Sequence, residues 1–284
     1  MYTYQGQIYA SLNEVPGDIL AAFIQQNVLT ETIAIQQNKI LFWEEHYLRL
    51  MASMRILRME IPLSFTLEYL SEKIAELTLC HSEKAFDGRV CLSVVKMAQP
   101  TVEQAIPPTA YSITALPVVK GEEILVFKRT TQPIDLYKDH YLTTGLYTTL
   151  ESAAQQWRDM AWTYVHENDY CDGILLNTEK YLVESLKGAL FLVKGTEIST
   201  PALDQGCRKS VYRKQLLTQL AKSEEFQITE EAISPFSIQK ADELFVLDDA
   251  HGIYSISQYR KKKFQSTMTE KIWSMFCEHI YTQN

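Results

Sequence analysis

Gly173-Ile174-Leu175-Leu176-Asn177, running on into Tyr181-Leu182-Val183-Glu184, is the stretch from which the architecture is read. Its short apolar runs predict two strands, over 173–176 and 181–184, and further strand candidates follow at 189–193 and 197–199. Helical spacing brackets them, with a long segment over 148–165 before and another over 210–222 after. Strands at 244–247 and 252–256 and a terminal helix over 267–280 complete this half. Short strands interleaved with helices predict a mixed α/β (α+β) domain.

Upstream, a strand over 2–9 precedes two apolar segments, 30–35 and 39–43, whose separation by Gln36-Gln37-Asn38 predicts a hairpin. Tyr47, Leu50, Met51, Met54 and Leu57 recur every three or four residues, so 44–58 is expected to be an amphipathic helix that ends before Pro62. A helix over 66–79, strands over 89–95 and 111–118, and a Pro-rich loop over 98–109 follow. Composition turns polar at 117–121, ahead of a new strand at 124–128. The expectation is a smaller N-terminal α/β domain over 1–121 and a larger C-terminal one over 122–284.

A chain of 284 residues has room for two such cores. Its formal net charge of -8 disfavours nucleic acid and anionic membranes as partners. The one basic run, Arg260 to Lys263, is expected to be a solvated strand end. No apolar stretch approaches the ~18 residues of a membrane span. The five cysteines lack metal or disulfide spacing and no charged start leads into an apolar run, a cytoplasmic profile. No metal site is expected. His46, His140 and His166 are read as structural or surface residues, and no serine or cysteine sits in a nucleophile motif.

Four segments in order resemble the class IV aminotransferases, pyridoxal-phosphate (PLP) enzymes of fold type IV that include branched-chain and D-amino-acid aminotransferases and aminodeoxychorismate lyases. They are His46-Tyr47-Leu48-Arg49-Leu50 with Ser53, Gly173 to Asn177 with Val183-Glu184, Phe191 to Thr200-Pro201 with Gly206 and Arg213, and Ala241-Asp242-Glu243-Leu244-Phe245. The resemblance implies the two-domain fold of that family, PLP as cofactor, and a homodimer, because the family's pocket is built near a subunit interface. It assigns Arg49 to the cofactor phosphate, a role that suits an always-charged bidentate guanidinium. It assigns Glu184 to the pyridine nitrogen and Lys209-Ser210-Val211 to the cup that takes the phosphate.

The same resemblance exposes departures. Its Schiff-base lysine falls 33 residues before Glu184, on Glu151, and a carboxylate cannot condense with an aldehyde. Lys138 lies too early, in a segment read as approach strand or loop. The family's glycine-rich turn is Gln25-Gln26-Asn27-Val28 before Thr30-Glu31-Thr32, its asparagine after the glutamate is Ala189, and a phosphate-binding threonine is Leu247. Lys209-Ser210 replaces the cup glycine, and Cys91 to Met97 keeps little of the substrate-side pattern. Glu151 and Glu184 in one cavity would repel and be costly to desolvate, so a cation is expected beside them. Lys187 is the first candidate, with Arg49 and Arg213 behind it.

Two functions stay open. One is a degenerate member without normal PLP catalysis, with PLP not necessarily bound, that takes a small anionic ligand or partners an active relative. The other is an active PLP-dependent aminotransferase or lyase with Lys187 as a displaced imine former.

Overall fold

The computed structural model describes residues 2–17, 20, 23, 28–81, 85–97, 108–118, 123–151 and 156–283. The chain divides into two compact units, one of Met1–Ile124 with Glu151–Ala154 and one of Leu125–Leu150 with Gln155–Asn284.

The first unit opens with β1 (Tyr2–Tyr4) and β2 (Gln7–Tyr9), a hairpin where one strand over 2–9 is expected. Gln5 and Gly6 take φ of 50° and 80° and reverse the chain. Next come β3 (Leu29–Gln36), β4 (Lys39–Ile40), α1 (Trp43–Ile56), α2 (Leu67–Leu79), β5 (Gly88–Lys96) and β6 (Thr109–Pro117). Gln37 and Asn38, both at positive φ, close the β3–β4 turn. Most of the expected 98–109 loop lies outside the described residues.

The strands form one antiparallel sheet in the order β2-β1-β6-β5-β3-β4. Leu29, Glu31 and Ile33 stand opposite Val94, Leu92 and Val90 in the β3–β5 register, and all six are buried. Period-two alternation puts them on one face of the sheet. Leu50 and Met54 of α1 and Leu70, Ile74 and Leu77 of α2 add to the buried set. One inward position of an otherwise apolar row is therefore a glutamate.

The second unit runs through β7 (Val126–Arg129), β8 (Ile134–Leu142), α3 (Gln156–Glu167), β9 (Asp172–Asn177), β10 (Leu182–Ser185), β11 (Ala189–Lys194) and β12 (Glu197–Pro201). It continues with α4 (Val211–Lys222), β13 (Gln227–Glu231), α5 (Ser237–Lys240), β14 (Glu243–Asp248), β15 (Gly252–Ser255), β16 (Gln258–Tyr259), β17 (Lys262–Lys263) and α6 (Thr267–Gln283). Two sheets result, β10-β9-β8-β16-β17 and β13-β12-β11-β14-β15-β7.

The stretch from Gly173 reads as continuously apolar because β9 is covered on both sides. Ile174 and Leu176 join Ile134, Leu190, Leu244 and Val246 in the core between the sheets. Leu175 turns the other way, toward Ala161 and Val165 of α3. At Gly188, before β11, an added Cβ would lie 2.2 Å from the Leu247 carbonyl oxygen, so the close approach of β11 and β14 requires glycine there.

One open reading is decided and one expectation changes. β8 is a full strand of nine residues although Asp135, Lys138, Asp139 and His140 break its apolar pattern. The long helix expected over 148–165 begins only at Gln156 among the described residues, after a short 3-10 turn at Leu146–Thr149. Glu151 therefore lies in irregular backbone, not on a helix. The preceding Leu150 is extended (ψ 141°), and the Glu151 carbonyl accepts the Thr30 N–H at 3.1 Å. The basic run forms the β16–β17 turn, with Arg260 at φ 53°.

Candidate functional site

Glu184, buried near the end of β10, is the centre of a charged cluster in the second unit. Its Oε1 accepts from Arg208 Nε at 2.7 Å and from Arg158 Nη2 at 3.1 Å, and its Oε2 accepts the Arg208 backbone N–H at 3.0 Å. Arg158 comes from the first turn of α3 and Arg208 from the segment leading into α4. These two arginines, and not Lys187, Arg49 or Arg213, supply the cation expected beside Glu184. A cavity of about 200 Å³ opens over Glu184 and Arg208, with His140, Thr143, Tyr147 and Trp157 among its walls. The His140 ring stacks on Trp157 at 5.2 Å and 20°. No lysine lines this cavity among the described residues. Cys207, next to Arg208, is no nucleophile: burial, with the Glu184 charge adding to it, pushes its thiol up to about 12.

Lys209-Ser210-Val211 forms the start of α4. Ser210 is the N-cap, its Oγ accepting from Arg213 N–H at 2.9 Å. The helix's first donors go to a carboxylate of the chain itself. Asp249 Oδ2 accepts Val211 N–H at 3.0 Å, and Oδ1 accepts Tyr212 N–H at 3.0 Å and the Ser210 hydroxyl. Lys209 is exposed, its N–H donated to the Thr149 carbonyl at 3.0 Å. Arg213 is buried and pairs with Glu230 and the Pro201 carbonyl, both at 2.8 Å. Ala189 and Leu247, two of the departures, are direct register partners across β11 and β14.

Lys187 is not brought to Glu184. It sits in the β10–β11 turn, donates from Nζ to the Cys171 carbonyl at 2.7 Å, and lies 4.7 Å from the Tyr254 ring centroid. Its charge is felt by Asp172, which is fully buried and accepts Gly173 N–H at 2.8 Å. Burial pushes the Asp172 carboxyl up to about 6, against the opposing pull of Lys187. A folded-state value raised in this way gives stability that is complete below the unfolded value of ~3.9 and lost as pH rises through about 6. Asp172→Asn is therefore expected to be more stable than the parent at pH 7.5, by up to ~3 kcal/mol, and to lose that advantage near pH 4. Urea denaturation of both proteins at the two pH values checks this, and a pH-independent difference would refute it.

In the first unit, Arg49 faces Glu31. Its Nη2 lies 2.6 Å from Oε2 and its Nε 2.9 Å from Oε1, a bidentate pair. His46, three residues earlier on the same face of α1, donates from Nδ1 to Glu31 Oε2 at 2.8 Å. Burial pushes the Glu31 carboxyl up, but the Arg49 charge and the hydrogen bonds from His46 and Arg49 outweigh it and hold the group below its usual range. Glu151 is half-buried in this unit. Burial raises the Cys91 thiol, and the charges of Glu31 and Glu151 add to that rise.

Arg49, Glu184 and the 209–211 segment thus each meet a charged partner that the sequence reading did not single out. Glu31 was signalled by its inward parity on β3. Asp249, Arg158 and Arg208 carried no comparable local signal.

The amino-transferase class IV family model matches residues 28–259. A probable branched-chain-amino-acid aminotransferase of Aquifex aeolicus is 23% identical over 253 residues, covering 80% of this chain and 72% of that protein. The branched-chain aminotransferase of Thermoproteus uzoniensis, solved with norvaline, has a TM-score of 0.82 at 18% identity and covers 100% of this chain and 95% of its own. A putative 4-amino-4-deoxychorismate lyase of Legionella pneumophila has a TM-score of 0.71 at 17% identity, over 90% of this chain and 92% of that one. A branched-chain aminotransferase of Thermobaculum terrenum in its PLP form has the same fold. The matched region takes in Glu31, Arg49, Glu184 and Asp249, and the chain belongs to the class IV aminotransferase family.

Proposed function

We propose that this chain is a family member without PLP imine chemistry, which uses the cavity beside Glu184 to bind a small anionic ligand. One observation carries the proposal: Glu184 is already matched by two guanidinium groups and a backbone N–H. A protonated pyridine nitrogen placed against it would be a third positive charge on one carboxylate. Arg208, which lines the cavity beside Glu184, suits an anionic ligand, and the stacked His140–Trp157 pair supplies an aromatic wall.

The chain's residues do not fit PLP in the manner of the family. Counting back from Glu184 by the family's spacing of 33 residues falls on Glu151, and Lys187 spends its Nζ on the Cys171 carbonyl. Arg49, the expected phosphate ligand, is held by Glu31. The proposal includes a cytoplasmic homodimer, or pairing with an active relative. The exposed side chains of Leu146 and Tyr147 near the cavity suit such an interface.

The purified protein, incubated with excess PLP, is expected to gain no imine absorption near ~400 nm and to trap no cofactor on borohydride reduction. D- and L-amino acids, branched 2-oxo acids and aminodeoxychorismate should give no turnover above the enzyme-free rate. Robust turnover with any of them overturns the proposal.

A further inference from the structure

The start of α4 is where a helix offers its unpaired N–H groups and the positive end of its dipole to an anion. In this chain that seat is taken from within. The Asp249 carboxylate spans the Val211 and Tyr212 N–H groups with one oxygen on each, and the Ser210 hydroxyl donates to it as well. Asp249 is aimed there by a closed turn after β14. Asp248 Oδ1 accepts the N–H groups of Ala250 at 2.7 Å and His251 at 3.1 Å, and the His251 ring donates to Asp248 Oδ2 at 3.1 Å. The end of β14 is itself anchored, since Leu247 pairs with both Ala189 and Ile253.

A phosphate arriving at these donors would have to displace Asp249 or bring its charge against a carboxylate already in hydrogen-bond contact with them. We infer that Asp249 is a resident counter-anion that closes the start of α4 to phosphorylated ligands, PLP included, and that removing its charge opens the seat. The inference rests on contacts of α4 and the 248–251 turn and not on the missing imine. A chain that bound phosphate at α4 yet formed no imine would sink this inference and leave the proposed function standing.

The test compares the full-length parent with Asp249→Asn, which keeps an amide oxygen in place, and Asp249→Gly, which empties the seat. Inorganic phosphate is titrated against each at constant ionic strength, with the unfolding midpoint as readout. Both variants are expected to take phosphate at least ~10-fold more tightly than the parent, the scale of a charge-assisted contact set at a helix end. Equal affinities in all three proteins overturn the inference. Should neither variant fold, the parent decides by its relative affinity for pyridoxal and PLP. No preference supports a closed seat, and a tenfold or greater preference for PLP overturns it.

Discussion

Replacing Glu31 with alanine is expected to cost about 3–5 kcal/mol of stability, the scale found when one partner of a buried ion pair is removed. Glu31 is 2% exposed and takes contacts from both Arg49 and His46, which is itself fully buried. Alanine takes this acceptor from both the guanidinium and the imidazole, on a sheet face otherwise filled by Leu29, Ile33 and Leu92. Glu31→Gln keeps the shape and part of the hydrogen bonding, so its loss should be smaller. The pH profile distinguishes charge from packing. Because the folded carboxyl is held below its usual range, its contribution is present above the unfolded value of ~4.3 and disappears as pH falls through the lower folded value. The parent should lose stability over that acid window, and Glu31→Gln should lose less. Urea denaturation, with hydrogen exchange of α1 and β3 amides as the local probe, checks both. A loss under ~1 kcal/mol in Glu31→Ala would show that Arg49 finds another partner.

Glu184→Ala is expected to destabilise the second unit by a similar amount, about 3–5 kcal/mol, in protein to which no cofactor has been added. The sign of this effect separates two roles for the residue. A carboxylate kept open for a ligand is a buried charge, and its removal would relieve the fold. One that accepts from Arg158, Arg208 Nε and Arg208 N–H is structural in the free protein, and its removal takes a buried acceptor from two cations. Pairing Glu184→Ala with Arg208→Ala should recover part of the loss, because the second change removes one of the two cations that lost this acceptor. Stability unchanged or raised in the single variant would contradict the assignment of Glu184 to the arginines.

The two glutamates also mark where reading the chain succeeds and where it stops. Strand β9 was legible from Gly173 to Leu176 because burial on both faces leaves an unbroken apolar run. Helix α1 was legible from the spacing of Leu50, Met51 and Met54. Strand β8 was legible only as approach strand or loop, since it gains its place by pairing with β9 and β16 despite polar residues at Asp135, Lys138 and Asp139. The hairpin at Tyr2–Tyr9 was missed because the Gln5-Gly6 reversal lies inside an apparently continuous strand pattern.

By itself, the sequence determined the mixed α/β class, most of the helices and strands, and through the order of its motifs the family, because side-chain period and residue type are local properties of the chain. Tertiary structure alone decided which charges meet: Glu31 with Arg49 across 18 positions, Glu184 with Arg158 and Arg208 across 26 and 24, and Asp249 with Ser210 across 39. A carboxylate's partner depends on which backbone the fold carries within about 3 Å of it, and no local pattern records that distance.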